Sequence, residues 1–168
     1  NPQVLTAGAT HPTSFAPVFG SADLALLDEI AETIIPATDV PGAKAAHVGA
    51  FIAMMLTDCY DAPVQAAVNA GVDQLASTYR SRFNEPFVGG SAANRTAFLN
   101  ELDAEQKRYT ASKRADQPHH YFRVVKELSV LGYFSSEVGA SQALRYIEVP
   151  GRFSGAEPYK KGDRAFFN

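Results

Sequence analysis

Residues 128–168 read LSVLGYFSSEVGASQALRYIEVPGRFSGAEPYKKGDRAFFN, and this stretch sets where the helical part of the chain ends. Helical spacing of apolar residues runs up to Tyr146 and stops there. Beyond it Pro150-Gly151, Gly155, Pro158 and Gly162 oppose regular structure. The same stretch carries Phe153, Tyr159, Phe166 and Phe167. A disordered tail normally lacks such residues, because apolar surface left in water is unfavourable. The segment therefore lies on something, either the chain's own helices or a partner.

Working outward from this stretch, the rest of the chain reads as helices. Pro118 opens one that carries Phe122, Val125, Leu128 and Leu131 on one side. Gly132 and Ser135 or Ser136 mark a break and a new cap. A short sixth helix then runs to about Tyr146, with Val138, Ala140 and Leu144, and with Gly139 as a close-packing point. Upstream, residues 110–117 are polar and exposed, and Ser91 caps a helix bearing Phe98, Leu99, Leu102 and Tyr109. Residues 84–90 form a loop. Pro63 suits the first position of a helix after Asp61, with the stripe Val64, Val68, Val72, Leu75, Tyr79 and Phe83, and Gly71 beside it.

The cleanest period is Val48, Phe51, Ile52, Met55, Leu56 and Cys59. It places Cys59 in the core as a small apolar residue, with an intermolecular bridge as the alternative. Ser21 caps the first helix, with Asp23 in its first turn and Leu24, Leu27, Ile30, Ala31 and Ile34 facing inward. Pro36 ends it, and residues 38–42 are a turn. Sustained two-residue alternation and fixed-period repeats are both absent. The expected fold is all-α: an extended segment over 1–20, an irregular bundle of about six helices over 21–146, and an extended aromatic arm over 147–168.

A chain of 168 residues suits one domain. No apolar run approaches the roughly 20 residues needed to cross a bilayer; residues 48–56 are the longest candidate. The chain is thus soluble or held at a membrane by something else. A net charge of −3 argues against nucleic acid as partner. The charge is lopsided: residues 1–62 hold seven acids (Asp23, Asp28, Glu29, Glu32, Asp39, Asp58 and Asp61) and one base, Lys44. Such polarity can orient a partner. One cysteine allows neither an internal disulfide nor a cysteine-based metal cluster. Residues 1–17 are polar, with Pro2, Pro12 and Pro17, and begin at Asn1. They read as the start of a processed or trimmed chain with no targeting signal left in it.

Motifs for phosphate, dinucleotide, zinc-peptidase and serine-hydrolase chemistry are missing. His119-His120 is the most tempting pair, but neighbours on a helix point about 100° apart and do not readily share a metal. They could do so with His47 if the fold joined them; the plainer reading is exposed or capping histidines. Glu101 and Glu105 share a helix face, yet Asp103, Lys107 and Arg108 crowd the same turns and favour a solvated charged face. The residues therefore offer no active site.

Residues 26–43, LLDEIAETIIPATDVPGA, resemble the N-terminal signature of the gluconate 2-dehydrogenase subunit 3 family. Residues 132–139, GYFSSEVG, and 149–155, VPGRFSG, are similar to that family's second signature, and Gly162-Asp163 before an aromatic end fits as well. The resemblance runs from about Phe19 to Phe167. It implies a non-catalytic small, or gamma, subunit that binds a large FAD-containing dehydrogenase subunit of the glucose-methanol-choline type, acting on a sugar or polyol. A cytochrome c subunit often accepts the electrons. The small subunit commonly carries a twin-arginine export signal, so the implied location is the periplasm, with any membrane association coming through the complex. At Ala156 the chain departs from the pattern, since many relatives are expected to carry Cys after Gly155; a docking role survives this, a covalent or redox role does not.

Aromatic residues and Arg most often dominate interface energy. The expected docking residues are Tyr133, Phe134, Tyr146, Pro150, Arg152, Phe153, Tyr159, Phe166 and Phe167. For Tyr133, Phe134 and Tyr146 a place in the chain's own core is the equal alternative. Catalytic, cofactor and metal residues are expected in none of the chain, with FAD and any haem c on partner subunits. Two other readings stand beside this one: an adaptor whose acidic first 62 residues touch the cytochrome, and a stand-alone enzyme using His47, His119 or His120.

Overall fold

In the computed structural model, residues 19–147, 149, 151, 153, 155–156 and 158–167 are described. The chain forms α1 (Ser21–Ile34), α2 (Val48–Cys59), α3 (Ala62–Phe83), α4 (Ala92–Ser112) and α5 (Tyr121–Ser135). A π-helical turn, Gly139–Ala143, and two short strands follow, β1 (Arg145–Tyr146) and β2 (Phe166–Phe167). The all-α class holds. A two-residue strand is too short for alternation to announce it.

Local chemistry explains where α1, α3 and α5 start, whereas Ser91 stands at the cap position of α4 without a side-chain cap bond. Asp61 Oδ1 accepts the Val64 N–H at 3.2 Å at the head of α3, with Pro63 in the first turn. For α1 the cap lies one residue earlier than Ser21: Gly20 holds that position, and its N–H donates to Asp23 Oδ2 at 2.8 Å. α5 begins three residues after Pro118, because the His120 Nδ1 accepts the Phe122 N–H at 3.2 Å. A capping histidine is the plainer of the two readings of the pair, and His119 is exposed beside it.

α5 is the hub, packing on α1, α2, α3 and α4. Leu27, Ile30, Ile52, Leu56, Val72, Leu75, Tyr79, Phe122, Val125 and Leu128 fill the space between them. Two glycines let α5 come close. A Cβ on Gly71 of α3 would stand 2.2 Å from Tyr121 Cγ, and one on Gly132 would stand 2.5 Å from Phe51 Cδ1. Gly132 therefore does not break α5; the helix passes through it and admits Phe51. Leu131 is exposed rather than core, because Ser129 and Gly132 take the buried side, the Ser129 hydroxyl donating to the Val125 carbonyl at 2.8 Å. After Ser135 the chain turns, as the serines suggest: Ser136 Oγ accepts the Gly139 N–H at 3.0 Å. The expected sixth helix is present as a short π-helix that ends at Ala143 rather than about Tyr146.

Cys59 is also not in the core. The buried face of α2 ends at Leu56, and Cys59, in the last turn, is exposed with its thiol 3.9 Å from Met55 Sδ. Among the described residues no helix is long and apolar enough to cross a membrane.

Candidate docking face

Residues 26–43 and 132–139 meet in space. The Tyr133 hydroxyl donates to the Pro41 carbonyl at 2.8 Å, tying α5 to the loop after α1. Burial, then the Glu32 and Asp39 charges, raise the Tyr133 pKa above the ordinary tyrosine range. Glu32 holds the same loop by accepting the Ala37 N–H at 3.0 Å and the Lys44 N–H at 2.8 Å. Asp28 accepts the Gly49 N–H at 2.9 Å. Glu29 is buried, with Lys44 Nζ at 2.5 Å on one oxygen and the Arg95 guanidinium on the other. Asp23 and Asp61 cap helices, and Asp39 pairs with Arg164 at 3.8 Å. The acids of the first 62 residues thus largely hold the fold together.

The expected docking residues fall into three groups. Tyr133 is buried at 2 % exposure, in the core place left open for it, with Phe134 edge-on to it at 5.2 Å and 37 % exposed. Tyr146 and Phe166 lie on the paired strands, which run parallel in the register Arg145↔Phe166 and Tyr146↔Phe167. The Arg145 guanidinium lies 4.1 Å above the Phe166 ring, and its Nε donates to the Arg164 carbonyl at 2.8 Å. Phe153 and Tyr159 stand out on the segment between the strands, at 96 % and 71 % exposure. The Phe167 backbone completes β2, and Pro150 and Arg152 lie outside the described residues.

What the periodicity did not reveal is a cleft of about 710 Å³ between α4 and α5. Its lining includes the apolar Ala111, Val130 and Leu131 and the basic Lys107, Arg123 and Lys126. The signal was present in Val130-Leu131 followed by Phe134, but it merges with the core pattern of α5.

A second cavity, of about 360 Å³, collects three of the residues weighed for chemistry, Glu101, Glu105 and His120. Glu101 is engaged by Arg82, whose Nη2 donates to its Oε1 at 2.8 Å; Glu105 Oε1 lies 3.6 Å from His120 Nε2. His47 is exposed at the head of α2 in a left-handed conformation, φ 53°. Among the described residues no three His, Cys, Asp or Glu are grouped to hold a metal ion.

The family described as gluconate 2-dehydrogenase subunit 3 matches residues 21–151, from the first residue of α1 to just beyond β1. The resemblance read as far as Phe167 is carried by this match to residue 151. Neither a curated protein nor a solved structure matches the chain significantly. With this match over most of its length, taking in residues 26–43 and 132–139 that Tyr133 and Pro41 tie together, the chain belongs to the gluconate 2-dehydrogenase subunit 3 family, accessory subunits of a dehydrogenase complex.

Proposed function

We propose that the chain is the non-catalytic small subunit of a periplasmic FAD-dependent sugar or polyol dehydrogenase. It binds the flavin-bearing catalytic subunit, of the glucose-methanol-choline type, and serves that subunit's folding, twin-arginine export and stability. FAD, and haem c where a cytochrome subunit completes the complex, sit on the partners. One observation carries the docking assignment. Among the described residues eleven large apolar side chains are exposed, and nine of them lie at Val130 or later in the chain. Apolar surface gains about 25 cal/mol per Å² when removed from water. A surface concentrated at one end of the sequence is therefore a place for a partner.

The test is co-expression of the chain with its flavoprotein, with and without residues 147–168, followed by capture and a flavin-dependent dye-reduction assay. The full chain is expected to capture active flavoprotein, and the shortened chain to stay helical by circular dichroism while capturing little. A full chain that never co-purifies with the flavoprotein overturns the proposal. Capture that survives loss of the arm moves the contact to the helices.

A further inference from the structure

α4 is weakly anchored at its C-terminal half. Of its residues only Phe98, Leu99 and Gln106 are buried. Past Gln106 it reaches its neighbours through polar contacts, such as the Tyr109 hydroxyl donating to the Pro118 carbonyl at 3.0 Å. Lys126 Nζ of α5 donates to Asp103 at 2.5 Å just before. The cleft opens between these helices. On its α5 wall Val130 and Leu131 are 42 % and 52 % exposed. Phe134, four and three residues further on, continues the same apolar stripe towards the arm. Thr110 Oγ1, in the lining, is enclosed and has no hydrogen-bond partner.

The charges of the lining are unequal. Lys107 and Lys126 both bond to the single carboxylate of Asp103, and Arg123 pairs with Glu127. Three bases therefore face two acids. Arg123–Glu127 is an i,i+4 pair at the helix surface, where such pairs contribute little, and the exposed Lys107 shares Asp103 with Lys126, so Arg123 and Lys107 can turn to a partner's carboxylates while Lys126 still holds Asp103. We propose that this cleft is a second docking surface, occupied by an amphipathic, carboxylate-bearing helix of the catalytic subunit. Its apolar side chains meet Ala111, Val130 and Leu131, and its carboxylates meet Lys107 and Arg123. The inference rests on the accessory-subunit reading. A helix suits the site better than a single acyl chain: the cleft is more open than enclosed, whereas small-ligand pockets bury most of their occupant. Val130 and Leu131 on that wall, with Phe134 one turn beyond the lining, give α5 one apolar face for a docked helix.

The experiment compares the full chain with two variants, Val130→Asp/Leu131→Asp and Lys107→Ala/Arg123→Ala, each co-expressed with the catalytic subunit. The apolar variant is expected to weaken capture at least tenfold while the isolated chain keeps its helicity and melting temperature. The basic variant is expected to weaken capture at low salt and to flatten its salt dependence. If the charged pair unfolds the chain, Leu131→Ala decides, with a smaller loss of capture expected. Wild-type capture by every cleft variant, with capture lost on removing residues 147–168, overturns the cleft and leaves the accessory reading standing. Failure of the wild-type chain to capture the catalytic subunit overturns that reading instead. Binding of anionic phosphatidylglycerol vesicles that the apolar variant loses, with capture intact, assigns the cleft to a membrane surface and also overturns the proposal.

Discussion

Glu29 shows how much a single side chain can carry without any mark in the sequence. It lies between Lys44, which is half exposed, and Arg95, which is nearly enclosed. Nothing in the spacing separates it from Asp28 or Glu32; only the arrival of α4 makes it internal. Removing one partner of a buried pair costs about 3–5 kcal/mol, whereas replacing both by apolar groups is often neutral or better. Glu29→Leu alone is therefore expected to lower the urea midpoint strongly, and Glu29→Leu with Arg95→Met to recover most of the loss. Tyr79 gives a second residue-scale expectation. Its hydroxyl donates to Glu85 Oε1 at 2.7 Å, and burial first, then that bond, push its pKa up to about 12. A raised folded value means stability that is complete below about pH 10, the unfolded value. It is lost as pH rises from there towards 12. Tyr79→Phe should flatten this alkaline fall in denaturant titrations between pH 9 and 12. Gly71 and Gly139, by contrast, were legible as close-packing points, because a glycine beside an apolar stripe has few other uses.

At the scale of elements, α2 and α3 were readable because their apolar stripes are long and regular. Caps were less so. Asp61 was readable, since an acid before Pro63 has a standard role, but His120 displaced the start of α5 from Pro118, and Gly20 rather than Ser21 precedes α1. α4 was read from Phe98, Leu99 and Leu102, and its polar second half concealed the cleft. The tie between α4 and α5 is electrostatic. Hydrogen bonds from Lys107 and Lys126 hold Asp103 well below the usual carboxylate range. A depressed folded value means stability present above about pH 4 and lost as pH falls below it. Asp103→Asn is expected to lower stability at pH 7 and to flatten the acid limb between pH 4 and pH 2, as read by chemical denaturation.

For the molecule as a whole, the sequence indicated the class and the presence of an arm, but not the path of the arm. Proline and glycine placement shows that residues after Tyr146 leave the helix; it does not show that Phe166 and Phe167 come back to pair with Arg145 and Tyr146. The return depends on contacts between residues some twenty positions apart, which local pattern does not encode. It makes residues 147–165 a closed loop, and the closure costs the chain roughly 2–3 kcal/mol of entropy. The pairing survives that cost as an intramolecular event, with β2 held at the high effective concentration that a short tether provides. Lys160 and Lys161 are exposed within the loop, just before Gly162 at φ 98°. One tryptic cut there turns the contact into an encounter between two molecules. Mass spectrometry after limited proteolysis should find the body ending at Lys160 or Lys161 before any helix is cut, with the short C-terminal peptide released. The captured complex should resist the same cut, and a peptide that stays on the isolated body would mean that the strand pairing and the Arg164 contacts hold without the tether.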